Sequence, residues 1–146
     1  MVITFREMEE EDLDRVIELC NICFDEETDL QAAKKVYFAN EDDPNQIYIV
    51  GEVEGKIVAH LKITVIPTIY GPMGTYAILN HVCVHPDYRR EHIGTHLLDY
   101  AFKECKKKKC KTVELWSRNF RVPAHELYKK YGFVIDDSKF FIKKID

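Results

Sequence analysis

The sequence predicts an α+β protein, or an α/β protein with a mixed sheet, built as one domain over residues 1–146. Strand-like apolar runs are interleaved with segments of helical spacing, and two of the strand-like runs flank the turn Glu54-Gly55. No linker rich in proline, glycine or serine divides the chain, and no internal repeat is found. A hairpin among interleaved helices is typical of a mixed sheet.

Composition favours an ordinary folded protein and argues against two classes of partner. Hydrophobic residues make up 46% and charged residues 32%, and the formal net charge is −4. We therefore expect neither nucleic acid nor a membrane as a partner, and no apolar run approaches the ~20 residues that span a bilayer. No signal peptide is expected, and five cysteines without disulfide spacing predict reduced thiols and a cytoplasmic protein.

The first half of the chain is expected to contain three strands and two helices. Residues 2–5 are β-prone, and the acidic run that follows suits the positive end of a helix dipole. Leu13, Val16, Ile17 and Cys20 share one helical face, and residues 30–38 predict a second helix. Residues 47–50 and 56–66 form the predicted hairpin.

The second half is expected to contain four strands and two helices, which gives seven strands and four helices in all. The strands are predicted at residues 75–84, 113–116, 133–135 and 140–142. The helices are predicted from an apolar stripe at residues 97–105, and at residues 123–130 with a proline in the first turn.

The most informative stretch is Val-Cys-Val-His-Pro-Asp-Tyr-Arg-Arg-Glu-His-Ile-Gly-Thr-His-Leu-Leu at residues 82–98. A strand ends, Pro86 forces a turn, and two arginines precede a helix whose first turn contains Gly94. The first N–H groups of a helix have no partner within it, so a phosphate can satisfy them. This pattern predicts an anion site, although a strand–loop–helix corner with solvated arginines fits the residues equally well.

This stretch closely resembles the coenzyme-A-binding motif of the GNAT superfamily of acetyl-CoA-dependent N-acetyltransferases. The resemblance extends over nearly the whole chain and implies a mostly antiparallel sheet flanked by helices. It also implies a bulged, splayed strand whose backbone pairs with the pantetheine arm, at Val82, Cys83 and Val84. The loop that wraps the pyrophosphate would consist of Arg89, Arg90, Glu91, His92, Ile93, Gly94 and Thr95.

One position departs from the family pattern. His92 stands where the family loop usually has a glycine. Its side chain could crowd the phosphate and weaken binding, or its imidazole could contact a phosphate when protonated.

The segment Ala-His-Glu-Leu-Tyr-Lys-Lys-Tyr-Gly-Phe at residues 124–133 is similar to the family segment that carries the general acid. By this resemblance Tyr128 protonates the leaving thiolate, and a phenol of pKa ~10 can do so at neutral pH. A core aromatic is the alternative for Tyr128. Asn119 matches a position that often contacts the pantetheine arm, with a simple turn residue as the alternative.

The general base is less clearly marked than the acid. Asn80 stands where the family often has a glutamate, and its amide could orient an amine or water but cannot act as a base. His81 could act as the base, but neighbouring strand residues face opposite sides unless a bulge intervenes. Glu114, on the next strand, is a weaker candidate. The oxyanion would fall to a backbone N–H, with Val84 favoured.

The resemblance therefore predicts transfer of an acetyl group from acetyl-CoA to a primary amine in a ternary complex. The acceptor, a small molecule or a peptide, would enter over residues 67–74 and the N-terminal helices. The acidic residues there, among them Asp25 and Asp29, could attract a cationic amine or could be solvated surface. A CoA-binding regulatory module without turnover is the alternative, and a Rossmann domain is less favoured because no Gly-x-Gly-x-x-Gly is present.

The remaining features favour structural roles. The lysines at 106–109 and 111 suit a helix C-terminus better than a site for the CoA 3′-phosphate or RNA. Cys20 and Cys23 favour core packing over metal or redox use, and no metal is expected because no histidine or cysteine set has ligand spacing. A homodimer through a late strand is possible.

Overall fold

The computed structural model describes residues 1–70 and 74–145. The chain divides into two compact units, Met1–Trp116 and Ser117–Asp146. The first unit contains one five-stranded sheet, and the second contains one helix. Within the described ranges no helix has the length and apolar character needed to cross a bilayer. Residues 71–73 of the loop predicted at 67–74 lie outside those ranges.

The sheet of the first unit has its strands in chain order. The strands are β1 (Thr4–Glu7), β2 (Gln46–Val53), β3 (Lys56–Ile66), β4 (Tyr76–Val84) and β5 (Thr112–Leu115). The first three pairings are antiparallel and the last, between β4 and β5, is parallel. The mixed, mostly antiparallel sheet that the sequence predicts is therefore confirmed.

Three helices flank this sheet, and the fourth lies in the second unit. They are α1 (Leu13–Phe24), α2 (Leu30–Asn40), α3 (Ile93–Lys107) and α4 (Val122–Tyr131). A short 3₁₀ turn, Glu10–Asp12, leads into α1, where carboxylates suit the first turn. Lys106 and Lys107 lie in the last turn of α3, where cations complement the helix dipole.

The two faces of the sheet are packed by different helices. One face packs against α1 through a buried cluster that consists of Met8, Leu13, Val16, Leu19, Tyr37, Val50, Ile57 and Cys83. The buried residues of α3 are Ile93, Leu97, Leu98, Ala101 and Cys105. Phe5 of β1 stacks near Tyr100 of α3, with ring centroids 5.8 Å apart, so Phe5 faces the α3 side. Strands buried on both sides explain the nearly continuous apolar run of β3.

The prediction of seven strands is wrong in number, because five are present in the described residues. Residues 133–135 and 140–142 have strand-like sequences, but neither segment pairs with a strand there. Their side chains are largely exposed, for example Ile135 at 86% and Phe141 at 86%. β-propensity needs a hydrogen-bonded neighbour and a surface to pack on, and these segments have no such partner strand.

Candidate functional site

The parallel neighbour of β4 ends before β4 does. Pairing with β5 runs from Tyr76 opposite Thr112 to Leu79 opposite Leu115, where β5 stops. Residues 80–84 continue β4 with β3 as their neighbour on one side and no described strand on the other. The sheet therefore opens along the second half of β4, where backbone groups that point away from β3 have no described strand to pair with.

The direction of these backbone groups follows from the antiparallel pattern. His85 donates its N–H to the carbonyl of Val58 at 2.8 Å, and Cys83 lies opposite His60. Because hydrogen-bonded and non-bonded positions alternate along an antiparallel pair, Cys83 bonds toward β3. The polar groups of Val82 and Val84 then point toward the open side. The carbonyl oxygen of Val84 already accepts from Arg89 and Cys23, so the groups left to pair along this edge are the N–H and carbonyl of Val82 and the N–H of Val84.

A β-bulge interrupts β4 at the start of this open stretch. Lys62 lies opposite Asn80 and His60 lies opposite Cys83, so two residues of β4, His81 and Val82, face one residue of β3. His81 has φ of 57°, in the left-handed region. The resemblance implied a bulge in this strand, and the structure locates it at His81.

The bulge brings the side chain of His81 to the α1 side of the sheet. Its ring lies edge-on to Phe24 of α1, with centroids 6.3 Å apart. Burial, with a smaller effect from the charge of Lys62, lowers the pKa of His81 below its usual range. The imidazole is therefore largely neutral at pH 7 and able to accept a proton.

A row of polar side chains crosses the same face of the sheet. Tyr48 packs against the α1-side cluster, Lys62 lies opposite Tyr48, and Asn80 lies opposite Lys62. Residues directly opposite in a sheet share a face, so all three lie on the α1 side. By the same register Glu114 lies opposite Ile78, two positions before Asn80. Asn80 is exposed, His81 is partly desolvated by its neighbours but still reaches solvent, and Glu114 is half-buried on the face that carries Asn80.

Beneath this row lies a group of three thiols between α1 and β4. Cys20 and Cys23 of α1 both hydrogen-bond with Cys83, which is 6% exposed. These hydrogen bonds, together with burial, raise the pKa of Cys83 well above its usual range. Cys83 is therefore a protonated core thiol, which agrees with the packing role expected for the Cys-x-x-Cys pair. All five cysteines are free, and no set of three or more metal-ligating side chains occurs in the described ranges.

After β4, the chain turns through a loop with unused backbone donors. A 3₁₀ turn, Pro86–Tyr88, is capped by His85, whose Nδ1 accepts from the N–H of Asp87 at 3.1 Å. In the described part of the chain, the N–H groups of residues 90–95 donate no hydrogen bond to the protein. Six consecutive donors that end in the first turn of a helix can bind a phosphate group.

The loop backbone is held in an unusual shape by Arg90 and His92. Arg90 has φ of 71° and His92 has φ of 60°, and α3 begins at Ile93 in the right-handed conformation. A left-handed residue followed by a right-handed one forms a concave nest of N–H groups that suits anions. His92 thus adopts a glycine-like conformation despite its Cβ, at a cost of about 1 kcal/mol.

Arg89 has a structural role in addition to its charge. Its Nε donates to the carbonyl oxygen of Val84 at 3.0 Å, and the Sγ of Cys23 donates to the same oxygen at 3.4 Å. This bond ties the start of the loop back to the end of β4. The sequence predicted Arg89 as a phosphate ligand, and the bond fixes where its guanidinium lies.

The second unit carries the other two predicted site residues. Tyr128 lies on α4, and its ring lies 5.8 Å from that of Phe133, in an edge-on arrangement. Gly132 ends the helix in the left-handed region with φ of 112°, and the N–H of Phe133 bonds back to the carbonyl of Tyr128 at 2.9 Å. Asn119 is exposed in the turn before α4. Their roles remain predictions from the motif.

The turn around Asn119 is fixed by His125 of α4. Its Nε2 lies 3.1 Å from the Ser117 hydroxyl and 3.0 Å from the carbonyl oxygen of Arg118. A carbonyl oxygen only accepts, so Nε2 donates to it and carries the proton.

Two features of the site escaped the sequence analysis. The left-handed conformation of Arg90 has no sequence signal, because arginine rarely adopts it. Lys62 was assigned only to a strand, although its alternation with the buried residues of β3 marks the face on which it lies.

The family model described as the acetyltransferase (GNAT) family matches residues 10–133. A Bacillus subtilis (strain 168) protein named as a candidate alanine N-acetyltransferase for ribosomal protein bS18 is 29% identical over 127 residues. That match covers 87% of this chain and 78% of the relative.

Solved structures share the fold at lower identity. The crystal structure of a transcriptional regulator from Bacillus halodurans C-125 matches with a TM-score of 0.88 at 22% identity, covering 98% of this chain and 100% of that chain. A predicted acetyltransferase from Clostridium acetobutylicum, whose crystal structure was determined with acetyl-CoA, matches with a TM-score of 0.80 at 18% identity. It is covered over 96% of its length, and this chain over 97%.

Proposed function

Because the chain belongs to the acetyltransferase (GNAT) family, we propose that it transfers the acetyl group of acetyl-CoA to a primary amine. The transfer is direct, in a ternary complex, and residues 1–146 act as one domain. The observation that carries this proposal is the open edge of β4, which leads directly into six unused N–H groups of the following loop. An extended amide chain that ends in a diphosphate matches both features in that order.

The cofactor is bound mainly by backbone groups. The pantetheine arm adds to the open edge of β4 as a short strand, through the backbone polar groups of Val82. The carbonyl oxygen of Val84 already accepts from Arg89 and Cys23, so it takes no part in this pairing. The pyrophosphate lies against the N–H groups of residues 90–95, where the dipole of α3 favours negative charge. Arg90 adds a cation beside this nest, and Asn119 contacts the pantetheine arm. Acetyl-CoA is a co-substrate that the family uses, and its thioester supplies the acetyl group.

Attack of the amine on the thioester carbonyl forms a tetrahedral oxyanion, which needs a donor. The N–H of Val84 is the donor we assign, because it points to the open edge at the end of the pantetheine-binding stretch. Collapse of the intermediate expels a thiolate of pKa ~8.5, which takes a proton from the Tyr128 hydroxyl. The products are an acetylated amine and free CoA.

The amine must lose a proton on the way to attack or during it. His81 is the base we assign, since the bulge turns it to the side of Asn80 and its pKa is lowered. Asn80 orients the amine or a bridging water. Glu114 is the competing base, because the register gives it the same face. The variants His81→Gln and Glu114→Gln distinguish these two candidates. Only the variant that lacks the true base should need an amine already deprotonated by solvent, which shifts the pH profile of kcat to higher pH.

The acceptor is a primary amine of a small molecule or a peptide. The Bacillus subtilis relative is named as a candidate alanine N-acetyltransferase for ribosomal protein bS18, so a peptide that begins with alanine, whose amine is free, is a suitable first acceptor. We place the protein in the cytoplasm on the evidence of its free thiols, and we expect neither nucleic acid nor membrane as a partner. A homodimer remains a prediction.

The decisive experiment measures cofactor binding and turnover separately. At ~100 times its dissociation constant, acetyl-CoA should stabilise the fold by about 2.7 kcal/mol, a rise of roughly 5–10 °C in Tm. Release of the CoA thiol in the presence of an amine panel then measures transfer. Cofactor binding without release of thiol by any amine would support a CoA-binding module, and no binding would reject both functions.

A matched pair of loop variants tests the anion site itself. Gly94→Asp and Gly94→Asn have the same size, but only the aspartate adds a negative charge where the diphosphate would lie. An acidic residue in the first turn also favours the helix, so Gly94→Asp should remain folded. We expect Gly94→Asp to lose acetyl-CoA binding about 10-fold or more relative to Gly94→Asn.

A further inference from the structure

Lys62 of β3 is a half-buried cation on the α1 side of the sheet. Its Nζ lies 5.3 Å from the centre of the Tyr48 ring, on the neighbouring strand β2. Tyr48 in turn packs edge-on against Tyr37 of α2, with ring centroids 5.5 Å apart. The aromatic contact holds the lysine side chain toward β2 and keeps its ammonium group over a rigid surface.

This ammonium group lacks a carboxylate partner in the described residues. Each salt bridge there joins other groups, and the nearest acidic influence on Lys62 is that of Asp43. Asp43 lies before β2, and its Oδ1 accepts from the N–H of Asn45 at 2.9 Å. Burial outweighs the effect of Asp43 and lowers the pKa of Lys62. A half-buried ammonium without a counter-ion is costly unless a ligand supplies one.

Lys62 lies next to the proposed site of acetyl transfer. Lys62 lies directly opposite Asn80, one position before the bulge at His81. The charge of Lys62 also lowers the pKa of His81, so the two groups are within electrostatic range. Neighbouring strands are ~4.8 Å apart, so the ammonium group over β2 and the backbone of β4 are separated by roughly 10 Å in the plane of the sheet.

We propose that Lys62 is an anion subsite of the acceptor, so that the acceptor carries a phosphate or carboxylate within roughly 10 Å of the amine it presents. This inference rests on the proposed acetyl transfer and makes its substrate class more specific. The amine lies by His81 and Asn80, and the anionic group contacts the Lys62 ammonium. Binding of the anion removes the uncompensated charge, and Tyr48 fixes the lysine in place before the acceptor arrives.

Matched acceptors test this inference. One pair is ethanolamine and O-phosphoethanolamine, and the other is the peptide amides Ala-Gln-Gly-Gly and Ala-Glu-Gly-Gly. We expect the anionic member of at least one pair to have a kcat/KM about 10- to 100-fold higher than its neutral partner, through KM. Equal or better use of the neutral member in both pairs would overturn the inference while leaving acetyl transfer intact.

Variants of Lys62 separate a subsite from a purely structural cation. Lys62→Met keeps the aliphatic stem on Tyr48 but removes the charge, and Lys62→Arg keeps the charge. Lys62→Met should raise KM for the anionic acceptor about 10-fold or more and leave KM for the neutral one within about 3-fold. Lys62→Arg should retain the preference for the anion. A rise in KM for both acceptors alike, or none for either, would contradict the subsite.

The same variants distinguish failure of the inference from failure of the proposed function. If acetyl-CoA binds but neither pair is acetylated, the transfer proposal is wrong for these amines. Binding of O-phosphoethanolamine to the acetyl-CoA complex, read as a further rise in Tm over that with ethanolamine, then tests the subsite directly. Loss of this extra rise in Lys62→Met supports the subsite, and its absence in the unmodified protein rejects it.

Discussion

The imidazole of His60 donates from Nδ1 to the carbonyl oxygen of Ile49, at 2.8 Å across β3 and β2. A carbonyl oxygen cannot donate, so Nδ1 carries the ring proton and Nε2 is the unprotonated nitrogen. His60 is 3% exposed, and burial lowers its pKa to about 4. The residue is therefore a neutral structural histidine on β3, opposite Cys83 of the strand that carries the proposed site.

This burial predicts a loss of stability in mild acid. The unfolded His60 binds a proton near pH 6.5, whereas the folded one does so only near pH 4. The unfolded state therefore holds more protons between these values, and the free energy of unfolding falls as the pH falls through this window. The total loss is about 3 kcal/mol, and it stops growing below the folded pKa.

Urea unfolding at intervals between pH 7.5 and 3.5 measures this loss. His60→Gln can still donate to Ile49 but does not titrate, so its stability should vary less with pH over the same range. His81→Gln serves as the control, because the pKa of His81 is also lowered. Parallel pH curves for the unmodified protein and His60→Gln would contradict the prediction.

His92→Gly should relieve the left-handed backbone of the phosphate loop. With φ of 60°, His92 is in a region that glycine adopts without strain. We expect acetyl-CoA to bind about 3- to 10-fold more tightly, because the crowding Cβ is removed and the nest is retained. The control His92→Ala keeps the Cβ, so its affinity should stay close to that of the unmodified protein. Calorimetric titration checks both, and weaker binding by both variants would show that the imidazole itself contacts the phosphate.

Gly51→Ala should destabilise the first unit, against the usual trend for a strand glycine. A Cβ at Gly51 would lie 2.8 Å from Cε1 of Phe5 and 3.0 Å from the Cβ of Ala59. Replacing an ordinary strand glycine by alanine raises the free energy of unfolding by roughly 0.5–1 kcal/mol. At Gly51 the crowding should instead lower it by about 1–3 kcal/mol. Chemical denaturation checks the sign, and the double variant with Phe5→Leu should recover part of the loss. A stabilised Gly51→Ala would refute the close approach.

Tyr128→Phe should slow turnover without affecting cofactor binding. If its hydroxyl protonates the thiolate, kcat falls about 100-fold or more, and the Kd of acetyl-CoA stays within about 2-fold. Tyr131→Phe on the same helix is the matched control and should retain its turnover rate. Thiol-release kinetics and calorimetry measure the two quantities. Undiminished turnover in Tyr128→Phe would assign this tyrosine to packing and place the acid elsewhere.

The sequence predicts the framework well, because its signals are local. Helical periodicity predicts α1 and α3, and a long β-prone run predicts β4. Glu54 and Gly55, both with positive φ, form the turn that the glycine indicated. The prediction of the two late strands is wrong because strand formation is not a local property. A strand depends on a partner distant in sequence, and apolar residues such as Phe141 carry the same local signal whether or not that partner is present.

The features of the site also differ in whether a local sequence signal marks them. The order of strand, turn, arginines and glycine is local, so the unused N–H groups of the loop could be anticipated. The faces of Asn80 and His81 could not, because one left-handed residue changes the alternation of β4. Lys62 was missed because its role rests on the lack of a carboxylate partner within salt-bridge distance. That lack depends on which side chains the fold places around the ammonium group, and a local pattern does not reveal it.

The carbonyl oxygen of Val84 accepts from Cys23 of α1 and from Arg89 of the loop, so three separate segments of the chain converge on one atom. A shift of the loop at Arg89 therefore alters a hydrogen bond to the same oxygen that Cys23 of α1 contacts, and alkylation of Cys23 removes the other donor. The phosphate loop and α1 thus share one acceptor atom at the end of β4, through hydrogen bonds of 3.0 Å and 3.4 Å.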